Sequence, residues 1–148
     1  MKQWLITLIM LLLSFQLTMA QNSGKGIGVI LGEPTGISLK FWQSDKIAID
    51  GGLAWSFGIN NKFHFHADYL FHNMNIPKEQ NFILYYGPGL RLRMGDEDRI
   101  GIRGAIGVDY FFNNAPCDAF FEVVPILDLI PGTYLSFNAG IGFRYFFK

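Results

Sequence analysis

From Gly26 onward, apolar and polar side chains alternate with a period of two, and turn-forming residues break the alternation at short intervals. That period belongs to β-strands, in which successive side chains point to opposite faces; an amphipathic helix would repeat every three to four residues. The pattern predicts eight strands, at about 26–32, 35–43, 47–57, 63–72, 82–94, 99–112, 118–129 and 134–147. The breaks are Glu33-Pro34, Ser44-Asp45-Lys46, Gly58 to Lys62, Asn73 to Asn81, Gly95 to Asp98, Asn113 to Cys117, and Pro131-Gly132. Most are short enough for hairpins, so neighbouring strands should pair in sequence order as an antiparallel meander.

Splitting each strand by parity separates two kinds of face. One carries Ile37, Leu39 and Phe41, then Ile47, Ile49, Leu53, Trp55 and Phe57, then Phe63, Phe65, Tyr69 and Phe71. It continues through Leu84, Tyr86, Leu90, Leu92, Ile100, Ile102, Ile106 and Val108 to Phe137, Ile141 and Phe143, without a charged residue inside the strands. The other face carries Lys40, Asp50, His64, His66, Asp68, Arg91, Arg93, Arg103, Asp109, Glu122, Asp128, Asn138 and Arg144. Between these stand small residues such as Ser38, Ala48, Gly52, Ala54, Gly87, Gly89, Ala105, Gly107, Gly140 and Gly142.

The residues before the first strand have a different character. Lys2, the apolar run Trp4 to Leu13 and the sequence Leu17-Thr18-Met19-Ala20 have the layout of a secretory signal peptide cleaved after Ala20. The run is too short to span a bilayer, and no cysteine follows it at a lipidation position. Residues 21–148 then form one domain. The formal charge is zero, which favours neither a nucleic-acid partner nor an anionic membrane surface. A single cysteine, Cys117, excludes an intrachain disulfide. Charged residues make up 16% of the chain, against about 25% in an ordinary soluble domain.

Which face points outward decides the environment. An eight-stranded barrel has a lumen that only just holds ordinary side chains, so the bulky apolar set does not fit inside it. The glycines and alanines of the polar face suit a crowded interior. The apolar face is therefore expected outside, in contact with lipid, where only a closed barrel satisfies the backbone. The expected fold is all-β: an eight-stranded antiparallel up-and-down transmembrane β-barrel. With the N-terminus in the periplasm, Phe41, Phe71, Phe82, Tyr110, Phe112, Phe121, Tyr145 and Phe147 form an aromatic girdle at that interface. Trp55, Phe57, Phe63, Phe65 and Phe137 gather toward the opposite rim.

Four stretches carry a resemblance to known proteins: Leu31-Gly32-Glu33-Pro34-Thr35-Gly36-Ile37-Ser38, Tyr85-Tyr86-Gly87-Pro88-Gly89, Glu122-Val123-Val124-Pro125-Ile126-Leu127-Asp128, and Gly140-Ile141-Gly142-Phe143-Arg144-Tyr145-Phe146. The chain is similar to the small outer-membrane barrels related to OmpX and the OmpA membrane domain. It more closely resembles an uncharacterised family of single-domain bacterial outer-membrane barrels. The resemblance implies fold and location, in the bacterial outer membrane, and assigns no activity. The last strand also resembles the sorting signal read by the outer-membrane assembly machinery, with Ile141, Phe143, Tyr145 and Phe147 in alternation, although it ends on Lys148. The partners implied are that machinery and outer-membrane lipid.

The mid-strand charges of the polar face balance, with Lys40, Arg91, Arg93, Arg103 and Arg144 set against Asp50, Asp68, Asp109, Glu122 and Asp128. Charges in a confined interior must be paired and hydrogen-bonded. The expected arrangement is a salt-bridge network that plugs the lumen and fixes strand register; a narrow ion path along the same residues is the alternative. His64, His66 and Asp68 share one face of one strand, but imidazoles two residues apart lie about 7 Å from each other, a weak metal-site spacing. Ser56 and Ser136 are the candidates for a lipid-modifying hydroxyl, yet no histidine stands at a telling spacing from either. No catalytic residue, metal or cofactor is expected. Pro88 and Pro125 fall inside strands, and Gly87 and Gly89 suggest a bulge at the first. The outward turns are short, so protein contacts are expected at Asn75 to Glu79 and at the turn holding Cys117.

Overall fold

The computed structural model describes residues 24–32, 35–56, 61–73 and 81–147. The predicted leader and the connector at Asn75 to Glu79 lie outside these residues, as does Phe57. Eight strands follow in order: β1 (Lys25–Gly32), β2 (Gly36–Trp42), β3 (Ile47–Ser56), β4 (Lys62–Asn73), β5 (Phe82–Met94), β6 (Arg99–Phe111), β7 (Cys117–Ile130) and β8 (Tyr134–Phe147). Each pairs antiparallel with its sequence neighbours, and β1 pairs with β8 from Lys25↔Phe147 to Gly32↔Gly140, closing the barrel. Closure leaves no edge strand with unpaired backbone groups. No helix occurs among the described residues.

Local chemistry ends the strands where the alternation does. Between β2 and β3 the Ser44 hydroxyl accepts from the backbone N–H of Ile47 at 3.2 Å, and Gln43 N–H donates to the Ile47 carbonyl at 2.9 Å. After β5 the Gly95 N–H donates to Asp98 Oδ1 at 3.3 Å. After β1, Gly32 sits at φ +130°, a conformation that side-chain-bearing residues rarely adopt, and Thr35 both accepts from its N–H and donates to its carbonyl.

Two expectations need correction. Cys117 is the first residue of β7, opposite Tyr145, and not part of a turn. No bulge forms at Pro88: the β4–β5 ladder loses its rungs between Asp68↔Gly89 and Phe71↔Tyr86, and the register on either side is the same. Proline removes one donor, which interrupts a ladder without inserting a residue. Pro125 behaves alike, in the gap between Arg103↔Ile126 and Ile106↔Val123. The irregularity lies instead at Ile100/Gly101, where Leu129 is the extra residue of β7 and both Leu129 and Ile130 end up exposed.

The polarity of the barrel is inverted relative to a soluble protein. Exposed side chains include Ile27, Val29, Leu31, Leu84, Leu90, Ile102, Ile106, Leu135, Phe137 and Ile141. Buried ones include Lys40, Asp50, His66, Asp68, Arg91, Arg103, Asp109, Glu122, Asp128 and Arg144. At the end where β1 begins, Tyr69, Phe71, Tyr86, Phe82, Tyr110, Phe112, Phe143, Tyr145 and Phe147 make ring contacts around the outside, with centroids 4.9–6.0 Å apart. Phe41 and Phe121 are also exposed on this wall.

Glycines make the interior possible. A Cβ on Gly142 would come within 2.3 Å of the Phe120 ring, and one on Gly107 within 2.4 Å of Tyr85 Oη and 2.6 Å of the Phe121 carbonyl. Two apolar clusters fill lumen volume that the sequence pattern assigned to small residues. Trp42, Ala48, Phe111 and Phe146, with Ile83 against them, pack together at the end where β1 begins. Ile30, Leu70, Tyr85, Ala105, Phe120, Val124 and Ile126 pack along the middle.

Candidate functional site

The lumen charges fall into three groups stacked along the barrel. Nearest the end where β1 begins, Arg144 on β8 is completely buried and serves three carboxylates on three other strands. Its Nη1 donates to Asp50 on β3 at 3.0 Å, and its Nη2 donates to Asp109 on β6 at 2.9 Å. Nε and Nη2 grip both oxygens of Asp118 on β7 at 2.9 and 2.8 Å. The Phe120 ring lies 4.0 Å from the guanidinium carbon. Such a planar fork on several carboxylates is what arginine, and not lysine, provides.

Lys40 on β2 completes this group by donating to Asp109 and to His72 Nε2, the latter at 2.9 Å. His72 Nδ1 faces the Lys46 carbonyl at 3.2 Å, and a carbonyl only accepts. Nδ1 therefore carries the proton and Nε2 offers its lone pair to the ammonium, which makes His72 neutral even though Asp109 lies 3.5 Å away.

The middle group centres on Arg103 of β6. Its Nε lies 2.8 Å from Asp68 on β4 without hydrogen-bond alignment, and its Nη2 lies 3.6 Å from Glu122 on β7. Tyr85 donates to the other Glu122 oxygen at 2.9 Å. Asp50 and Asp68 are directly opposite each other on β3 and β4; Arg144 and Arg103 give each its own counter-charge.

The third group occupies the opposite mouth. Arg91 Nη2 contacts both oxygens of Asp128, at 2.7 and 2.5 Å. Gly101 stands between them in the sheet, and a Cβ there would lie 2.5 Å from Asp128 Oδ1. Arg99 binds Glu97 at 2.9 Å and approaches Asp128 at 3.7 Å. His64 Nε2 and His66 Nδ1 are 3.4 Å apart. Their partners across β5 are Arg93 and Arg91, and cations beside both imidazoles disfavour a metal ion there. Arg93 has no ion pair among the described residues.

All twelve residues of the expected charge network lie on the inward parity of their strands. Eleven of them join contacts with other charged or imidazole groups, and Arg93 stands apart from any carboxylate. Sequence reasoning passed over His72, Asp118 and Tyr85, and Asp118 adds a carboxylate to the expected balance. The signal was available, because His72 continues the two-residue step of His64, His66 and Asp68, and Asp118 that of Glu122 and Asp128. Both stand at strand ends, where alternation is hardest to read. Ser136 faces Ile126 across β7, and its buried hydroxyl has no hydrogen-bond partner among the described residues.

With this geometry in view, comparison with solved structures finds the crystal structure of the N-terminal β-barrel domain of Pseudomonas aeruginosa OprF. The two superpose with a TM-score of 0.60 at 15% identity, over 86% of this chain and 100% of that one. The fold is that of this barrel domain. It supports the architecture of eight antiparallel strands closed into a barrel. No protein-family model matches the chain, and no curated protein is significantly similar to it.

Proposed function

We propose that this chain is an integral protein of the bacterial outer membrane, with a plugged lumen, acting as a structural or interaction component. The observation that carries this reading is the inverted polarity: leucine, isoleucine and phenylalanine cover the wall while arginines and carboxylates pair inside. Exposing such a wall to water would make a very large sticky surface, whereas lipid accepts it without cost to the closed backbone ladder. The lining favours a plug over a path for ions. Trp42, Phe111 and Phe146 close one end, and the Arg144 and Arg103 clusters block the section above. The narrow-pore reading requires these ion pairs to open, and the hydroxyl chemistry of a lipid-modifying enzyme has no histidine bonded to Ser136 to support it.

In this reading residues 1–20 are the export leader, the last strand engages the assembly machinery, and lipid is the constant partner. The kinship with OmpX and with the uncharacterised single-domain family belongs to the same proposal. Two measurements test it together. Closed barrels resist detergent until boiled, so the refolded protein should change gel mobility on heating. In a planar bilayer it should leave the conductance at baseline. Unchanged mobility would oppose the membrane barrel, and steady single-channel steps would oppose the plug.

A further inference from the structure

The mouth opposite the Trp42 cluster has a charge that the plug does not use. Three arginines reach this end, Arg91, Arg93 and Arg99; Asp128 and Glu97 pair with two of them, while Asp96 and Asp98 stand exposed in the turn between β5 and β6. Arg91 is committed to Asp128 and Arg99 to Glu97. Arg93 is only partly buried, and among the described residues neither a carboxylate nor a hydrogen bond engages it.

Its neighbours are donors. His64 stands directly opposite on β4, and Arg99 directly opposite on β6. One level deeper, His66 stands opposite Arg91, whose Nε is buried without a hydrogen-bond partner. Directly opposed residues hold their Cβ atoms about 4.5–5.5 Å apart, so these side chains share one small volume. The two imidazoles use one nitrogen each on the other, which leaves each a second ring nitrogen. An unspent guanidinium fork beside two such rings suits an oxyanion of tetrahedral shape. The fork binds two oxygens side by side, and the free N–H of whichever imidazole accepts in the His64–His66 bond can meet a third.

We propose that this mouth binds a phosphate-class oxyanion, with Arg93 as its main ligand, one imidazole of the bonded His64–His66 pair as an N–H donor, and Arg91 as a fixed charge behind them. The site depends on the barrel fold alone and holds whether or not the lumen conducts. The phosphate can belong to a free anion or to a lipid headgroup, and the chemistry that recognises it is the same.

The chain has three histidines, which makes the test direct. The full barrel, refolded in a phosphate-free nonionic detergent, is titrated in one arm with inorganic phosphate. In a second arm its micelles are doped with short-chain phosphatidic acid, a lipid phosphomonoester. The imidazole resonances of His64 and His66 should shift in a saturable way while that of His72, at the other end, stays in place. A shift in the first arm only assigns a free anion, in the second only a headgroup, and in both the shared chemistry. Arg93→Gln should weaken the response about tenfold or more, and Arg93→Lys, which keeps the charge and loses the fork, by a smaller factor. Lys25→Gln, the same charge change at the other end, should titrate like the parent. Heat-modifiable mobility establishes that each variant is folded. The proposal is overturned if neither anion moves His64 and His66, if His72 moves with them, or if Arg93→Gln titrates unchanged.

Discussion

Replacing Arg144 with methionine tests the interior at its most connected point. The guanidinium is fully buried and ties β8 to β3, β6 and β7 through Asp50, Asp109 and Asp118. Methionine matches the stem but leaves three buried carboxylates without their guanidinium. Asp109 would keep Lys40, whereas Asp50 and Asp118 have no other ion pair among the described residues. Removing one partner of a buried pair costs about 3–5 kcal/mol, and two carboxylates are deserted here, so the loss should reach at least that range. Urea titration of the refolded barrel, followed by gel mobility and tryptophan fluorescence, measures it. The reasoning also fixes a sign. Asp118→Asn should destabilise the parent, because it weakens a doubly bonded pair, yet stabilise Arg144→Met, because it removes an unpaired charge. A loss of less than about 1 kcal/mol, or an Asp118→Asn effect of one sign in both backgrounds, would refute the account of this network.

Arg103→Met should cost about 3–5 kcal/mol in the same urea assay, since it deserts Asp68 and Glu122 together. Ile102→Arg, on the exposed wall, should cost about 2–4 kcal/mol in lipid if that position lies at mid-membrane, while Ile102→Leu should stay below about 1.5 kcal/mol; the reverse order would invert the face assignment. For topology, an epitope inserted after Gly95 should be labelled by antibody on intact cells, and one inserted after Pro77 should not. The opposite labelling would mean that the barrel sits the other way up.

The period-two pattern carried most of the fold because a strand has only two faces and the barrel buries one of them. Once Arg103 points inward, Ile102 must point outward, and pairing of neighbours does the rest. Sequence alone was weaker on two points. It assigned the space between lumen charges to small residues, whereas Trp42, Phe111, Phe120, Phe146 and Ile126 fill much of it. An aromatic residue on the inward parity carries no mark of its own, and its fit depends on a distant glycine, as Phe120 depends on Gly142. Nor did the pattern specify which charges meet. Arg144 and Asp50 are 94 residues apart and on strands that are not neighbours, so their contact exists only because the barrel closes and the lumen is narrow. The proline at position 88 misled for a related reason: its flanking glycines serve close packing against β4, where a Cβ on Gly87 would meet the Tyr69 carbonyl at 1.8 Å, and not a bulge.

Fluorescence quenching by brominated lipid tests the central claim most directly, because two tryptophans outside the predicted leader occupy opposite faces. Trp55 is exposed on the apolar wall near the end where β4 begins, and Trp42 is buried in the apolar cluster inside the barrel at the other end. The barrel is refolded into phosphatidylcholine vesicles carrying bromine near the headgroup end of the acyl chains, in two variants, Trp42→Phe and Trp55→Phe. A membrane-embedded barrel with its apolar face outward should show strong quenching of Trp55 in the first and little quenching of Trp42 in the second. Strong quenching of Trp42 with Trp55 unaffected, or quenching of neither, would contradict the account.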